Sequence, residues 1–241
     1  MPGILDQPLL ETPIAVLDFE TTGLSPGWDR ALELAIVRLD PGEPPRLVFD
    51  TLIHPGRPVA ASFIHGITDA DVANAPPFSH IAGDVVRALS GCVVAAYNAA
   101  FDMRFLRYEL GESGFRQMPP YFCAMYLRPM LGLGRRCGLA QACQAHEIDL
   151  AQHHTAATDT LATAALVRLC WQHLPELGLT TFADLARRHR YRFIQTWRAD
   201  PLHREEALHL PACHRLCSRY ARTVTPLPRG SWRAVPRQVQ G

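Results

Sequence analysis

Residues 14–17, Ile-Ala-Val-Leu, form an unbroken apolar run that leads directly into Asp18-Phe19-Glu20. A run this short and this apolar reads as a buried strand, here ending at Asp18. Side chains two apart on a strand share a face, so Asp18 and Glu20 project together from the edge of a sheet. Like charges this close raise the pKa of one of them and cost stability when nothing compensates. A hard divalent cation removes that cost, and carboxylate oxygens are what magnesium and manganese prefer. Taken alone, the Asp-x-Glu pair reads more simply as an ordinary strand end dipping into solvent.

The following residues supply a sheet for that strand to join. Thr22-Gly23-Leu24-Ser25-Pro26-Gly27 is turn material. Residues 31–39 (ALELAIVRL) alternate as a second strand, and residues 46–53 (RLVFDTLI) as a third, closed by His54-Pro55-Gly56. Three strands joined by short turns predict an antiparallel meander. Thr68-Asp69-Ala70-Asp71 then looks like a helix start, residues 79–89 carry helical periodicity, and residues 92–97 form a short apolar strand. Residues 100–110 read as a helix with Phe101, Phe105, Leu106 and Leu110 on one side. Further helical patterns cover 139–146, 156–174 and 181–189. A meander followed by strand–helix alternation predicts an α/β chain, a mixed sheet with helices packed on it.

At 241 residues and 48% hydrophobic content, the chain can bury one core. It contains no run of about 18 apolar residues, so no membrane span is expected. The first 13 residues lack the basic start and apolar stretch of a signal peptide, and cytoplasmic residence is the expectation. The seven cysteines, an odd number without framework spacing, read as reduced and mostly buried thiols. Net charge is +1, but residues 203–241 hold seven Arg and two Glu, a balance of +5, which leaves −4 on residues 1–202. A basic tail suits phosphate or an acidic partner, and equally a solvated extension.

Two further segments carry chemistry. Residues 97–106, Tyr-Asn-Ala-Ala-Phe-Asp-Met-Arg-Phe-Leu, place Asp102 at a helix start just past an apolar strand. Alone, such an acid is a common partner of the helix dipole, and Asn98 a turn residue or cap. Residues 153–159, His-His-Thr-Ala-Ala-Thr-Asp, open the longest helical pattern. Five residues of ideal helix rotate by ~140°, so His154 and Asp159 converge only if His154 lies in the loop before the helix. Ala156 and Ala157 are small enough to let that helix approach the sheet closely.

Together, and in this order, these segments resemble the DnaQ-like DEDDh 3′–5′ exonucleases. The first family motif, Asp-x-Glu-Thr-Thr-Gly-Leu, matches Asp18 through Leu24; the second, Asn-x-x-Phe-Asp-x-x-Phe-Leu, matches Asn98 through Leu106. The third, His-x-Ala-x-x-Asp, matches His154, Ala156 and Asp159, and residues 64–68, Ile-His-Gly-Ile-Thr, resemble a stretch found in proofreading members. The likeness runs from about residue 13 to 172.

It implies a ribonuclease H-like fold, with a mixed five-stranded sheet flanked by helices over residues 1–199 and an irregular, basic, Pro-containing tail over 200–241. It also implies catalysis by Asp18, Glu20, Asp102, His154 and Asp159 with two magnesium or manganese ions. Asp18 would bridge both ions, Glu20 and Asp159 would complete one site, Asp102 would hold the second, and His154 would be the general base. Thr21, Thr22, Gly23, Leu24, Ile64, His65, Asn98 and Phe101 would border the pocket for the terminal nucleotide. One departure concerns an acidic residue that members often carry after motif two. Here the chain reads Phe122-Cys123-Ala124-Met125, and that position is expected to be structural only.

The implied substrate is the 3′ end of DNA, single-stranded above all, in proofreading, repair or end trimming. A DNA polymerase subunit is an implied partner, although no Gln-Leu-rich clamp-binding motif is evident. RNA 3′-end trimming is the alternative within the family, and a catalytically inactive nucleic-acid-binding protein the alternative outside it. Two leftovers remain: His203, His209, Cys213, His214 and Cys217, which lack paired zinc-ligand spacing, and the arginines at 187, 188, 190 and 192 with Trp197, which read more simply as a solvated helix end than as a strand guide.

Overall fold

The computed structural model describes residues 3–150 and 155–188. The tail over 200–241 with its cysteines and histidines, the arginines beyond 188, and His154 itself lie outside the described residues.

Five strands form one mixed sheet: β1 (Ile14–Thr21), β2 (Ala31–Leu39), β3 (Arg46–Leu52), β4 (Val93–Ala96) and β5 (Tyr121–Cys123), in the order β3-β2-β1-β4-β5. The β1–β2 and β2–β3 pairs are antiparallel, the expected meander. The β1–β4 and β4–β5 pairs are parallel, and parallel neighbours need crossovers. Three helices, α1 (Ser62–His65), α2 (Asp69–Val72) and α3 (Phe78–Leu89), lie between β3 and β4, and α4 (Ala99–Glu112) between β4 and β5. After β5 follow α5 (Ala124–Met130), α6 (Leu139–Ala145), α7 (Ala156–Gln172) and α8 (Phe182–Arg187).

One expectation is corrected at β1. The strand does not end at Asp18 but runs on to Thr21, because Asp18, Phe19 and Glu20 keep pairing with Ala35, Leu34 and Glu33 of β2. The acids therefore stand within a paired strand, on a rigid base.

Alternation along β1 divides the core. Ile14 and Val16 face one side and pack with residues of α5, α6, α7 and α8. Ala15, Leu17 and Phe19 face the other and pack with residues of α3 and α4. Phe78, Phe105, Phe122 and Phe182 are fully buried across the two layers, and each such side chain contributes roughly 2–3 kcal/mol. Ala156 and Ala157 at the start of α7 pack against Ala35 of β2, so the small residues do let this helix sit close to the sheet.

A half-buried ion pair ties the β1–β2 loop to α4. Arg30 donates from Nε and Nη2 to the two carboxylate oxygens of Glu109, at 2.9 and 2.7 Å, and the N–H of Ala31 donates to the same carboxylate at 3.2 Å. The guanidinium also lies 5.8 Å from the centroid of the Tyr108 ring. Cys92, Cys123, Cys143 and Cys170 are buried free thiols. Among the described residues, no helix is long and apolar enough to cross a membrane.

Candidate active site

The period-two alternation that turns Val16 toward α7 turns Asp18 and Glu20 the same way. On the helix side, Thr155 caps α7. Its hydroxyl accepts the N–H of Thr158 at 3.2 Å, while the N–H of Thr155 donates to the Thr158 hydroxyl at 3.3 Å. This reciprocal box fixes where the helix begins and puts Asp159 in its first turn. Asp18, Glu20 and Asp159 each place a carboxylate oxygen within 4.8 Å of the other two.

Asp102 arrives from the other layer. In the parallel β1–β4 pair, Val16 is level with Ala95, so the chain leaving β4 passes beside Asp18 and Phe19. The first turn of α4 brings Asp102 there, 2% exposed. Its Oδ1 accepts the backbone N–H of Phe19 at 3.2 Å.

This crowding has an electrostatic cost. Burial, then the charges of Asp102, Glu20, Asp159 and Glu33, hold the Asp18 carboxyl well above the usual carboxylate range. Burial pushes Asp102 up to about 7, against the pull of the N–H groups of Phe19 and of its own backbone. The donor set is oxygen only and strongly anionic, which is the chemistry of a hard divalent cation site. The residues present fit such an ion.

The expected pocket residues fall into two groups. Thr21 and Thr22 are buried and work within the β1–β2 loop: the Thr21 hydroxyl donates to the Gly23 carbonyl at 2.7 Å, and the Thr22 hydroxyl donates to Asp29 at 3.3 Å and accepts the Arg30 N–H at 3.1 Å. Gly23 is dictated by packing, because a Cβ there would lie 2.6 Å from the Asp29 carboxyl. His65 is buried, with one ring nitrogen accepting the Ile67 N–H and the other against the Ala60 carbonyl, each at 3.1 Å. It shapes the turn that presents Ile64.

The second group faces outward. Leu24 is 75% and Ile64 61% exposed. Asn98 is exposed at the N-cap of α4 and makes no capping bond with its side chain. Phe101 is half-buried, its ring 5.0 Å from that of Phe105. At the departure after motif two, Phe122 and Cys123 are buried in β5, and the Phe122 ring stacks on Trp171 at 5.4 Å.

Sequence reasoning passed over Trp28 and Phe63, which are even more exposed, at 81% and 90%. Four of the five exposed large hydrophobics among the described residues thus belong to the β1–β2 loop and α1. Both segments lie at the same end of the sheet, since Leu32 and Leu52 pack with Ile67 just beyond α1. Bulky apolar side chains in open water were the available signal. Glu33 was missed as well; the clue was an acid inside an otherwise apolar strand.

The RNase T family model, described as an exonuclease, matches residues 15–167, from β1 nearly to the end of α7. A DNA polymerase III subunit epsilon-like protein of Rhodobacter capsulatus is 36% identical over 75% of this chain and 27% of its own length. The DNA polymerase III PolC-type protein of Bacillus subtilis is 32% identical over 73% of this chain and 13% of its own. The chain therefore spans only a minor part of these curated relatives. Among solved structures, Exonuclease X in complex with 5′ overhanging duplex DNA matches with a TM-score of 0.53 at 28% identity, covering 71% of this chain and 98% of that one. Exonuclease I of E. coli in complex with a dA16 oligonucleotide shares the fold, with a TM-score of 0.59 at 19% identity, over 76% of this chain and 45% of that one. A family match that spans the five-stranded sheet and both helices bearing the clustered acids makes this chain a member of the DnaQ-like exonuclease family.

Proposed function

We propose that the protein is a DEDDh-type 3′–5′ exonuclease that removes nucleotides one at a time from DNA 3′ ends and releases nucleoside 5′-monophosphates. The observation that carries this reading is the meeting of Asp18, Glu20 and Asp159 within 4.8 Å, with Asp102 set against the backbone between the first two. These four carboxylates would hold two magnesium or manganese ions, which when bound would supply positive charge to offset the phosphate's and to lower the proton affinity of the attacking water.

The chain's own groups do the rest. His154 takes the proton from the attacking water, a task that suits the imidazole side chain at neutral pH. The water oxygen bonds to the terminal phosphorus, the bond to the neighbouring nucleotide's 3′ oxygen breaks, and that oxygen takes a proton from solvent. Leu24 and Ile64 supply apolar surface against the terminal base, and the loop carrying Leu24 is held in place by Arg30 and Glu109. Asn98 and Phe101 border the same pocket. The exonuclease domain is assigned to residues 1–199, with the basic stretch 200–241 outside it.

DNA is favoured over RNA because the Exonuclease X complex contains duplex DNA and because the relatives named above are DNA polymerase III proteins. Those names also favour a polymerase subunit as partner. The test is degradation of 5′-end-labelled single-stranded DNA, duplex DNA and RNA of one sequence, side by side, with magnesium. The expected result is a ladder of shortening labelled products, faster on DNA than on RNA. Early release of the label would overturn the polarity, faster loss of RNA would overturn the substrate, and binding without cleavage under either metal would overturn the enzyme.

A further inference from the structure

Glu33 is the single charged residue in the buried stretch Ala31–Val37 of β2, and it is 1% exposed. It stands opposite Glu20 across the β1–β2 pair, with Ala35 opposite Asp18, so it rises from the sheet on the face that carries the clustered acids. Its Oε2 accepts the N–H of Ala156, the first residue of α7, at 3.1 Å.

The N-terminus of a helix attracts negative charge, so this bond is favourable in itself. It complements the capping box, which satisfies the N–H groups of Thr155 and Thr158 and leaves that of Ala156. Glu33 is costly here, because its charge repels Asp18. An alanine would spare that repulsion but could not reach α7. What the capping box does not provide is a bond between α7 and the sheet. Glu33 makes that bond from the strand position facing Glu20, directly beside the contact of Ala35 with Ala156 and Ala157.

We propose that Glu33 is a positioning residue for the active site: its carboxylate holds the first turn of α7 at the place over β1 where Asp159 meets Asp18 and Glu20. The proposal rests on the exonuclease reading above. Reach, rather than charge, is the property that matters, and two variants separate the two. E33Q keeps the length and an acceptor oxygen but loses the charge. E33D keeps the charge but is one methylene too short for Ala156.

The experiment measures, for the full chain, the rise in melting temperature as manganese is added without substrate, and kcat and KM on single-stranded DNA. E33Q is expected within about threefold of the wild type in manganese midpoint and kcat. E33D is expected to need about tenfold more manganese and to lose about 10- to 100-fold in kcat, the usual cost of removing a support behind metal ligands, with KM changed less than about twofold. Wild-type behaviour in E33D would overturn the proposal. A loss in E33Q as large as in E33D would show that reach does not suffice and would overturn it, and failure of E33D to fold without metal would make Glu33 a structural buttress only. If the wild type itself showed neither a manganese response nor cleavage, the exonuclease reading would fail first and take this role with it.

Discussion

The Asp102 carboxylate accepts the backbone N–H of Phe19 at 3.2 Å, the N–H that lies between Asp18 and Glu20 along the chain. A helix acid from one layer is thereby registered on the backbone of the strand that presents two acids to the other layer. Its placement follows from the pairing of β1 with β4 and owes little to side-chain freedom.

That placement makes the metal-free protein sensitive to pH. Burial holds Asp102 near 7 in the folded chain, against about 4 for an unfolded aspartate. Between these values the folded chain binds more protons than the unfolded one, so this contribution to stability is complete below about pH 4 and is lost as pH rises through about 7. Asp18 is shifted in the same direction. Calorimetry in EDTA from pH 4 to 8 should therefore show a falling melting temperature. D102N, which cannot ionise, should reduce the fall and melt several degrees above the wild type at pH 8. An unchanged slope in D102N would contradict the shift.

H154A addresses the general base. Hydrolysis should slow by about a hundredfold or more, and the acid limb of the pH–rate profile should flatten. Persistence of that limb would remove His154 from the role.

The outward-facing apolar side chains should matter for substrate more than for folding. L24A and I64A remove groups that are mostly in water, so melting temperature should stay within about a degree or two. Burying an aliphatic side chain of this size contributes about 1.5–3 kcal/mol, which corresponds to a KM raised roughly tenfold or more with kcat little changed. Steady-state kinetics on single-stranded oligonucleotides decide this, and an unchanged KM would exclude both residues from the pocket.

R30A tests the link between the β1–β2 loop and α4. It strands the Glu109 carboxylate, 1% exposed, without its ionic partner. Because Arg30 is 31% exposed, water can replace part of the pair, and its loss costs about 1–3 kcal/mol, equivalent to roughly 2–12 °C in a chain of this size. A thermal melt indistinguishable from the wild type would show the pair to be dispensable.

Much of this architecture is legible in the residues. The meander, α4 and α7 announce themselves by periodicity, and the acids by their order along the chain. What was not legible depends on pairing. Asp18, Glu20 and Thr21 look like the departure of a strand because three polar residues follow an apolar run, yet β2 keeps bonding to all of them. The strand β5 has only three residues, too few for a period, and α5 carries Pro129 in its interior. The meeting of Asp102 with Phe19 follows from the β1–β4 register, which no local pattern encodes. Glu33 was missed because an acid in an alternating strand reads as an outward-facing residue, whereas this one points inward, under a helix.

Manganese binding counted by electron paramagnetic resonance on the wild type and on D18A tests the electrostatic core of the account most directly. Two ions per chain are expected for the wild type. For D18A, which deletes the carboxylate proposed to serve both ions, the expected outcome is loss of tight binding with the fold retained, and a metal-free melting temperature equal to or above that of the wild type because a repelling charge is gone. Undiminished manganese binding in D18A, or none in the wild type, would contradict it.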